Sequence, residues 1–70
     1  MAKLTDSEVQ AVVKALTTAS EFEQKAAIAS KGAFVEFLKK IGLTTLAHKI
    51  ADWAIDAFNW LVETIGDWFS

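Results

Sequence analysis

The sequence predicts an all-α fold: a compact bundle of four helices, in which three short helices wrap around a long C-terminal amphipathic helix. Apolar residues recur at spacings of three and four along the chain, as on one face of a helix. Ser, Thr and Gly residues occur at regular intervals where helices begin and end. No segment alternates apolar and polar residues, and no Asn-Gly or Asp-Gly hairpin signal occurs. We interpret residues 1–70 as a single helical domain, with helices at about 6–19, 21–31, 33–41 and 45–69.

The first helix is predicted from its start signal and its apolar stripe. Thr5 and Glu8 have the spacing of a capping box, which places the first helical residue at Asp6. The apolar positions then follow at i, i+3, i+4 and i+7: Val9, Val12, Val13 and Leu16. One face of this helix is therefore expected to be buried.

The second helix is predicted from Glu21 to Lys31. Ser20 and Glu23 form a second capping box before it, and Gly32 is a natural C-terminal stop. The expected buried positions of this Ala-rich helix are Phe22, Ala26, Ile28 and Ala29.

The third helix is predicted from Ala33 to Ile41, with Gly42 ending it and Leu43 placed for the apolar contact of a Schellman motif. Its apolar residues at helical spacing are Phe34, Phe37, Leu38 and Ile41. Two lysines in the last turn favour the negative end of the helix dipole.

The fourth helix is predicted to be long, beginning at a Thr44 or Thr45 cap and continuing for about 24 residues, or roughly 36 Å. Its polar side chains fall in an arc of roughly 100° when about 100° is allowed per residue. That arc contains His48, Lys49, Asp52, Asp56, Asn59, Glu63, Asp67 and Ser70. The rest is apolar except for Thr64 and divides into two sectors. One sector holds Trp53, Trp60 and Trp68 with Leu46 and Ala57, and the other holds Ile55, Phe58, Val62 and Phe69.

Composition excludes several function classes. The chain has no Cys for disulfides or thiolate chemistry, and its seven lysines, no Arg and net charge of −2 argue against nucleic acid as a partner. The acidic residues within 46–65 argue against a helix that spans a bilayer alone, although such a helix can lie in the interface. The first residues do not resemble a signal peptide, so we expect secretion without a classical signal peptide.

No residue pattern indicates catalysis. His48 is the only histidine and the chain has no Cys, which argues against a transition-metal site, and Gly32, Gly42 and Gly66 form no phosphate loop. We expect no enzyme activity, no metal, no cofactor and no small-molecule substrate.

The acidic row, made up of Asp52, Asp56, Asn59, Glu63 and Asp67, has two interpretations. It is either an ordinary solvated helix face, or the partner of Lys31, Lys39 and Lys40 in a closed bundle or between subunits. The tryptophan sector has three interpretations: core packing, a membrane interface where the ring is in the apolar layer and the N–H is wet, or a groove for a partner protein.

Short Cys-free helices in a chain of 70 residues, with Trp-bearing amphipathic ends, resemble the small saposin-like helical bacteriocins of the leaderless and circular classes. The segment Thr64-Ile65-Gly66-Asp67-Trp68 is also similar to staphylococcal haemolysin-like modulins. The resemblance implies a secreted antimicrobial protein that permeabilises target membranes. Leaderless bacteriocins are typically cationic, whereas this chain is acidic overall.

The leading hypothesis is therefore a membrane-active antimicrobial protein whose partner is the lipid bilayer of target cells, with self-association as a further possibility. The predicted membrane-binding residues are Trp53, Trp60, Trp68, Phe58, Phe69, Lys14, Lys25, Lys31, Lys39 and Lys40. The lysines would contact lipid phosphates first, and the aromatic residues would then enter the interface as the bundle opens. The alternative hypothesis is a soluble helical interaction module or homo-oligomer that uses the same Trp face. A designed bundle also fits the clean caps and the absence of Pro, but the uneven charge and the Ala/Thr-rich first half argue against it.

Overall fold

A computed structural model of the chain describes residues 4–69, and this part of the chain is helical, with no β-strand. It contains five helices: α1 (Asp6–Thr18), α2 (Glu21–Ile28), α3 (Lys31–Lys40), α4 (Thr44–Ala51) and α5 (Ile55–Phe69). The all-α prediction is confirmed, whereas the four-helix layout is wrong because the C-terminal segment forms two helices.

α1 begins as predicted, at a complete capping box. The Glu8 amide donates to the Thr5 hydroxyl at 3.2 Å, and the Thr5 amide donates to the Glu8 carboxylate at 2.9 Å. Val9, Val12 and Leu16 are buried, and Val13 packs partly against the same core. The helix ends one residue earlier than predicted, where the hydroxyl of Thr18 donates back to the Ala15 carbonyl.

The boundary between α2 and α3 differs from the prediction. α2 ends at Ile28 rather than Lys31, because Ser30 acts as the N-cap of the next helix by accepting from the Ala33 amide at 3.1 Å. Gly32, expected to stop α2, instead lies in the first turn of α3.

The predicted buried face of α2 is wrong. Phe22 is 82% exposed, Ile28, Ala26 and Ala29 are also exposed, and the buried residue of this helix is Ala27. The reason lies in Gln24, whose side-chain amide donates to the carbonyls of Leu16 (2.6 Å) and Ala19 (3.3 Å). These bonds turn the Gln24 and Ala27 side of α2 towards α1, since residues three apart share a helix face. Phe22, two residues before Gln24, therefore points away from the core.

The end of α3 agrees with the predicted Schellman motif. Gly42 has φ +90°, its amide donates to the Lys39 carbonyl, and the Leu43 amide donates to the Leu38 carbonyl at 2.9 Å. Phe34, Phe37 and Leu38 are buried as predicted, but Ile41 is exposed because it is the C-cap of the helix. α4 then begins directly at Thr44 with Leu43 as its N-cap, so the predicted Thr44 or Thr45 cap is also wrong.

The predicted long helix over 45–69 is interrupted at residues 52–54. A straight helix of about 36 Å is longer than the largest extent of the Cα trace, which is 29 Å. The interruption allows α4 and α5 to bury separate faces in one core. α4 contributes Leu46, Ala47 and Ile50 to it, and α5 contributes Phe58, Leu61 and Ile65.

The core is a single apolar cluster to which every helix contributes. Phe34 is fully buried in it, with its ring edge-on to Phe58 at 5.8 Å between centroids and tilted against Phe37 at 6.5 Å. α3 packs against α2 and α4, while α1 packs against α5 and α2. Among residues 4–69, no polar or charged residue is buried.

Candidate functional site

Two of the three tryptophans form a pair beside the interruption. Trp53 lies in the turn between α4 and α5, and Trp60 lies in the second turn of α5. Their ring centroids are 6.3 Å apart with an interplanar angle of 67°, an edge-to-face contact. Both side chains are partly buried and pack against the core cluster.

The indole N–H groups of Trp53 and Trp60 are not enclosed in the core. Neither indole N–H donates to an oxygen of the described residues, yet no buried side-chain nitrogen or oxygen there lacks a partner. Both N–H groups therefore reach the molecular surface. Each ring thus has an apolar side on the core and a polar edge in water.

Trp68 extends this surface along α5. It lies two helical turns after Trp60, on the same side of the helix, and is 45% exposed. Ala57 and Thr64, on the same flank of α5, are partly buried. We call Trp53, Trp60 and Trp68 the tryptophan surface.

The two predicted apolar sectors differ from the observed burial. Leu46, predicted beside the tryptophans, is a core residue of α4. Phe58, predicted to bind membranes, is buried against Phe34, because it lies with Leu61 and Ile65 on the inward face of α5. Ile55 is 60% exposed at the start of α5. The side chain of Phe69 lies outside the described part.

Among the predicted membrane-binding lysines, Lys31 forms a hydrogen bond to a tryptophan residue, through the backbone carbonyl of Trp53. Its ammonium group donates to the carbonyl of Trp53 at 2.7 Å and to that of Ala51 at 3.1 Å. Lys31 is partly buried, in the first turn of α3. It therefore joins the N-terminus of α3 to the interruption between α4 and α5.

The other predicted lysines are exposed and lie on helices α1 to α3. Lys25 pairs with Glu21 at 3.3 Å within α2, Lys39 with Glu36 at 3.8 Å within α3, and Lys40 with Glu23 at 3.8 Å between α3 and α2. Lys14, on α1, lines a shallow groove with Ala11, Ile41 and Leu43. These four lysines and the tryptophan surface do not form one site.

The acidic row is a solvated face. Asp52, Asp56, Glu63 and Asp67 are all exposed, and in residues 4–69 none of them forms an ion pair. The hypothesis that Lys31, Lys39 and Lys40 meet this row within the bundle is wrong, because those lysines contact backbone carbonyls, Glu36 and Glu23 instead. A contact of these groups between subunits stays a prediction.

The ion pair between α4 and α1 involves Lys49 and Glu8, whose nearest atoms are 3.3 Å apart. The pKa of the Glu8 carboxyl is lowered from its usual 4.5, mainly because the Thr5 amide donates to it and also because of Lys49. This pair and the capping box together position the start of α1.

The described residues contain no group of three or more His, Cys, Asp and Glu residues placed to hold a metal ion. Within the same part of the chain, no helix has both the length and the apolarity to cross a membrane. His48 is exposed on α4.

Sequence reasoning missed an exposed aromatic groove between α2 and α3. Phe22 and Phe37 line it with three alanines, and the Lys40–Glu23 pair lies at its edge. The signal in the sequence was Gln24, a residue that can turn a short helix by bonding to free carbonyls of the preceding one.

No model of a known protein family, no curated protein and no solved structure matches this chain.

Proposed function

We propose that this protein is a membrane-active antimicrobial protein of the bacteriocin type, which binds and permeabilises the membranes of target cells through its tryptophan surface. The observation that carries the proposal is the orientation of Trp53 and Trp60, with apolar ring faces on the core and N–H groups at the surface. Tryptophan prefers this orientation at a membrane interface, where the ring contacts acyl chains and the N–H stays hydrated.

α5 exposes apolar side chains on two sides. Trp68 of the tryptophan surface is 45% exposed, and Ile55, on another side of the helix, is 60% exposed. Transfer of such side chains into lipid contributes roughly 0.8 kcal/mol per CH₂. Phe58 belongs to the core in the closed bundle and would reach lipid only after α5 separates from α3.

Charge is expected to have a secondary role. Lys14, Lys25, Lys39 and Lys40 are exposed and available to lipid phosphates, but α5 itself carries Asp56, Glu63 and Asp67. Electrostatic attraction to anionic lipid is therefore partly cancelled near the tryptophan surface. We expect apolar insertion, rather than charge, to supply most of the binding free energy.

The proposal includes a saposin-like arrangement of the helices and secretion without a classical signal peptide. What supports the arrangement is the layout, in which five short helices enclose one apolar cluster without a disulfide. Such a bundle can open because no disulfide cross-links its helices.

The test is leakage of a dye from vesicles of anionic lipid and, separately, of zwitterionic lipid, with tryptophan emission recorded at the same time. We expect leakage and a blue shift of the emission with both kinds of vesicle.

Trp68→Ala is expected to weaken vesicle binding about tenfold, because a half-exposed aromatic side chain no longer enters lipid. Phe22→Ala is the matched control: it removes an exposed aromatic ring outside the tryptophan surface, so its binding is expected to stay within about twofold of wild type.

Absence of both leakage and a blue shift would overturn the proposal. Sedimentation velocity in plain buffer then separates the alternatives. A stable dimer whose tryptophan emission is indifferent to lipid would instead support a soluble interaction module that associates through the same face.

A further inference from the structure

The interruption between α4 and α5 is not encoded by residues that break helices. Asp52, Trp53 and Ala54 include neither Gly nor Pro, and the whole chain has no Pro. Asp52 keeps a right-handed helical backbone (φ −85°, ψ −4°). Ala54, which precedes α5, has no side-chain oxygen to cap a helix start. Local sequence therefore favours one helix through this point, and something from elsewhere in the chain has to hold the two helices apart.

Lys31 provides such a tie from twenty residues away. Its ammonium group donates to the carbonyls of Ala51 and Trp53, at 3.1 and 2.7 Å. In a continuous α-helix these same carbonyls would accept from the amides of Ile55 and Ala57. The Ala57 amide instead donates to the Ala54 carbonyl at 3.1 Å. Lys31 thus bonds to two of the carbonyls that a joined helix would use, and so stabilises them where α4 ends.

Size is the second constraint. Residues 44–69 as one straight helix would be about 38 Å long, whereas the largest extent of the closed bundle is 29 Å. α4 and α5 therefore cannot join while both remain packed in the core. Joining the helices and opening the bundle are one event.

We propose that Lys31 is a latch that keeps α4 and α5 apart, and that the two helices join when the latch is released at a membrane surface. Lipid phosphate competes for the ammonium group, and acyl chains replace the core contacts of α4 and α5. The joined helix gathers Asp52, Asp56 and Glu63 on one side, so it lies in the interface with that side in water. The membrane trigger rests on the proposed function, but the latch itself does not.

The experiment measures the distance between spin labels by pulsed electron paramagnetic resonance. The chain has no Cys, so labels attach only at the two sites introduced by Thr45→Cys and Glu63→Cys, both exposed positions. A joined helix places these Cα atoms about 27 Å apart, and we expect a shorter distance in the closed bundle, where the chain turns between the two sites. The distance is followed in buffer, during titration with phosphatidylcholine vesicles, and during titration with trifluoroethanol, which favours helical structure without lipid.

Lys31→Met removes the ammonium group and keeps an apolar stem, while Lys49→Met is the matched control. Lys49 also joins α4 to another helix, through Glu8, but does not contact the interruption. We expect wild type to reach the long distance on vesicles. Lys31→Met should do so at about a tenfold lower lipid concentration, because the charge-assisted hydrogen bonds to the Ala51 and Trp53 carbonyls no longer stabilise the closed bundle. Lys49→Met should remain within about threefold of wild type.

The outcomes separate the latch from the proposed function. Wild type that binds vesicles without lengthening overturns the joining of α4 and α5 and leaves the proposed function intact. The latch is overturned if Lys31→Met and Lys49→Met change the lipid concentration at the midpoint of the lengthening equally. It is also overturned if Lys31→Met raises that concentration. If wild type does not bind vesicles, the proposed function fails and the trifluoroethanol titration decides: a midpoint for Lys31→Met no lower than that of Lys49→Met overturns the latch.

Discussion

Phe34 and Phe22 carry the same side chain in opposite surroundings. Phe34 is fully buried between Phe37 and Phe58, whereas Phe22 is 82% exposed. We expect Phe34→Ala to lower the free energy of unfolding by about 3–5 kcal/mol, because it loses apolar burial and leaves a cavity. That loss is a large part of the roughly 4–10 kcal/mol typical of a chain of this length. Urea unfolding followed by circular dichroism measures it.

Phe22→Ala is the control for that experiment, since it makes the same substitution outside the core. Its free energy of unfolding should remain within about 0.5 kcal/mol of wild type. Equal losses for the two variants would contradict the burial of Phe34 and the exposure of Phe22.

Glu8 links the stability of α1 to pH. Its carboxyl has a lowered pKa in the folded chain because the Thr5 amide donates to it, with a further contribution from Lys49. A group of this kind stabilises the fold above its unfolded pKa, and the contribution is lost as the pH falls through the folded value. We expect Glu8→Gln to melt at a lower temperature than wild type at pH 7 and at the same temperature near pH 2. A difference in melting temperature that is independent of pH would contradict this assignment.

At the scale of the helices, features that depend on neighbouring residues could be predicted from the sequence. The capping box at Thr5 and the Schellman motif at Gly42 are local, and both are present. The face of α2 and the interruption before α5 depend on bonds whose acceptors the sequence does not identify, because Gln24 and Lys31 donate to carbonyls of other segments. A helical wheel describes one helix in isolation and contains no information about such bonds.

Gly42 supplies a test of the helix ends. Its φ of +90° is strained for any residue with a Cβ, although an added Cβ would meet no atom within 4 Å. We expect Gly42→Ala to lower the free energy of unfolding by about 1–2 kcal/mol, through backbone conformation alone. Thermal and urea unfolding of the variant measure this change.

Gly32→Ala is the opposite case on the same helix. Gly32 lies in the first turn of α3 with open space around its Cα and an ordinary backbone conformation. Ala in a helix loses less conformational entropy on folding than Gly, so we expect this variant to be more stable by about 0.5–1 kcal/mol. Two variants that change stability in the same direction would contradict the assigned positions of these glycines.

At the scale of the whole molecule, the sequence identifies the tryptophans as candidate surface residues. It does not predict which other groups lie around them. Their number and their position on one side of the helix predict a binding surface. In the structure, two of the rings pack against the core and Trp68 is exposed. The predicted lysines do not gather around that surface, because they are distributed over α1, α2 and α3, and three of them pair with carboxylates of α2 and α3. The ion pairs of the described residues are all solvent-accessible, so we assign them little of the stability of the bundle.

The all-apolar interior has a consequence for the uniqueness of the fold. Hydrophobic attraction has no direction, so a core made only of Leu, Ile, Val, Ala and Phe does not by itself select one arrangement of helices. In the described residues, the directional side-chain hydrogen bonds lie at the perimeter of the bundle. They include the helix caps and the bonds that Gln24 and Lys31 donate to backbone carbonyls. The buried side chains are apolar, so they would have no hydrogen bonds to lose if, as proposed, acyl chains took the place of their neighbours. A few bonds at the helix ends therefore decide between the closed bundle and any rearranged form.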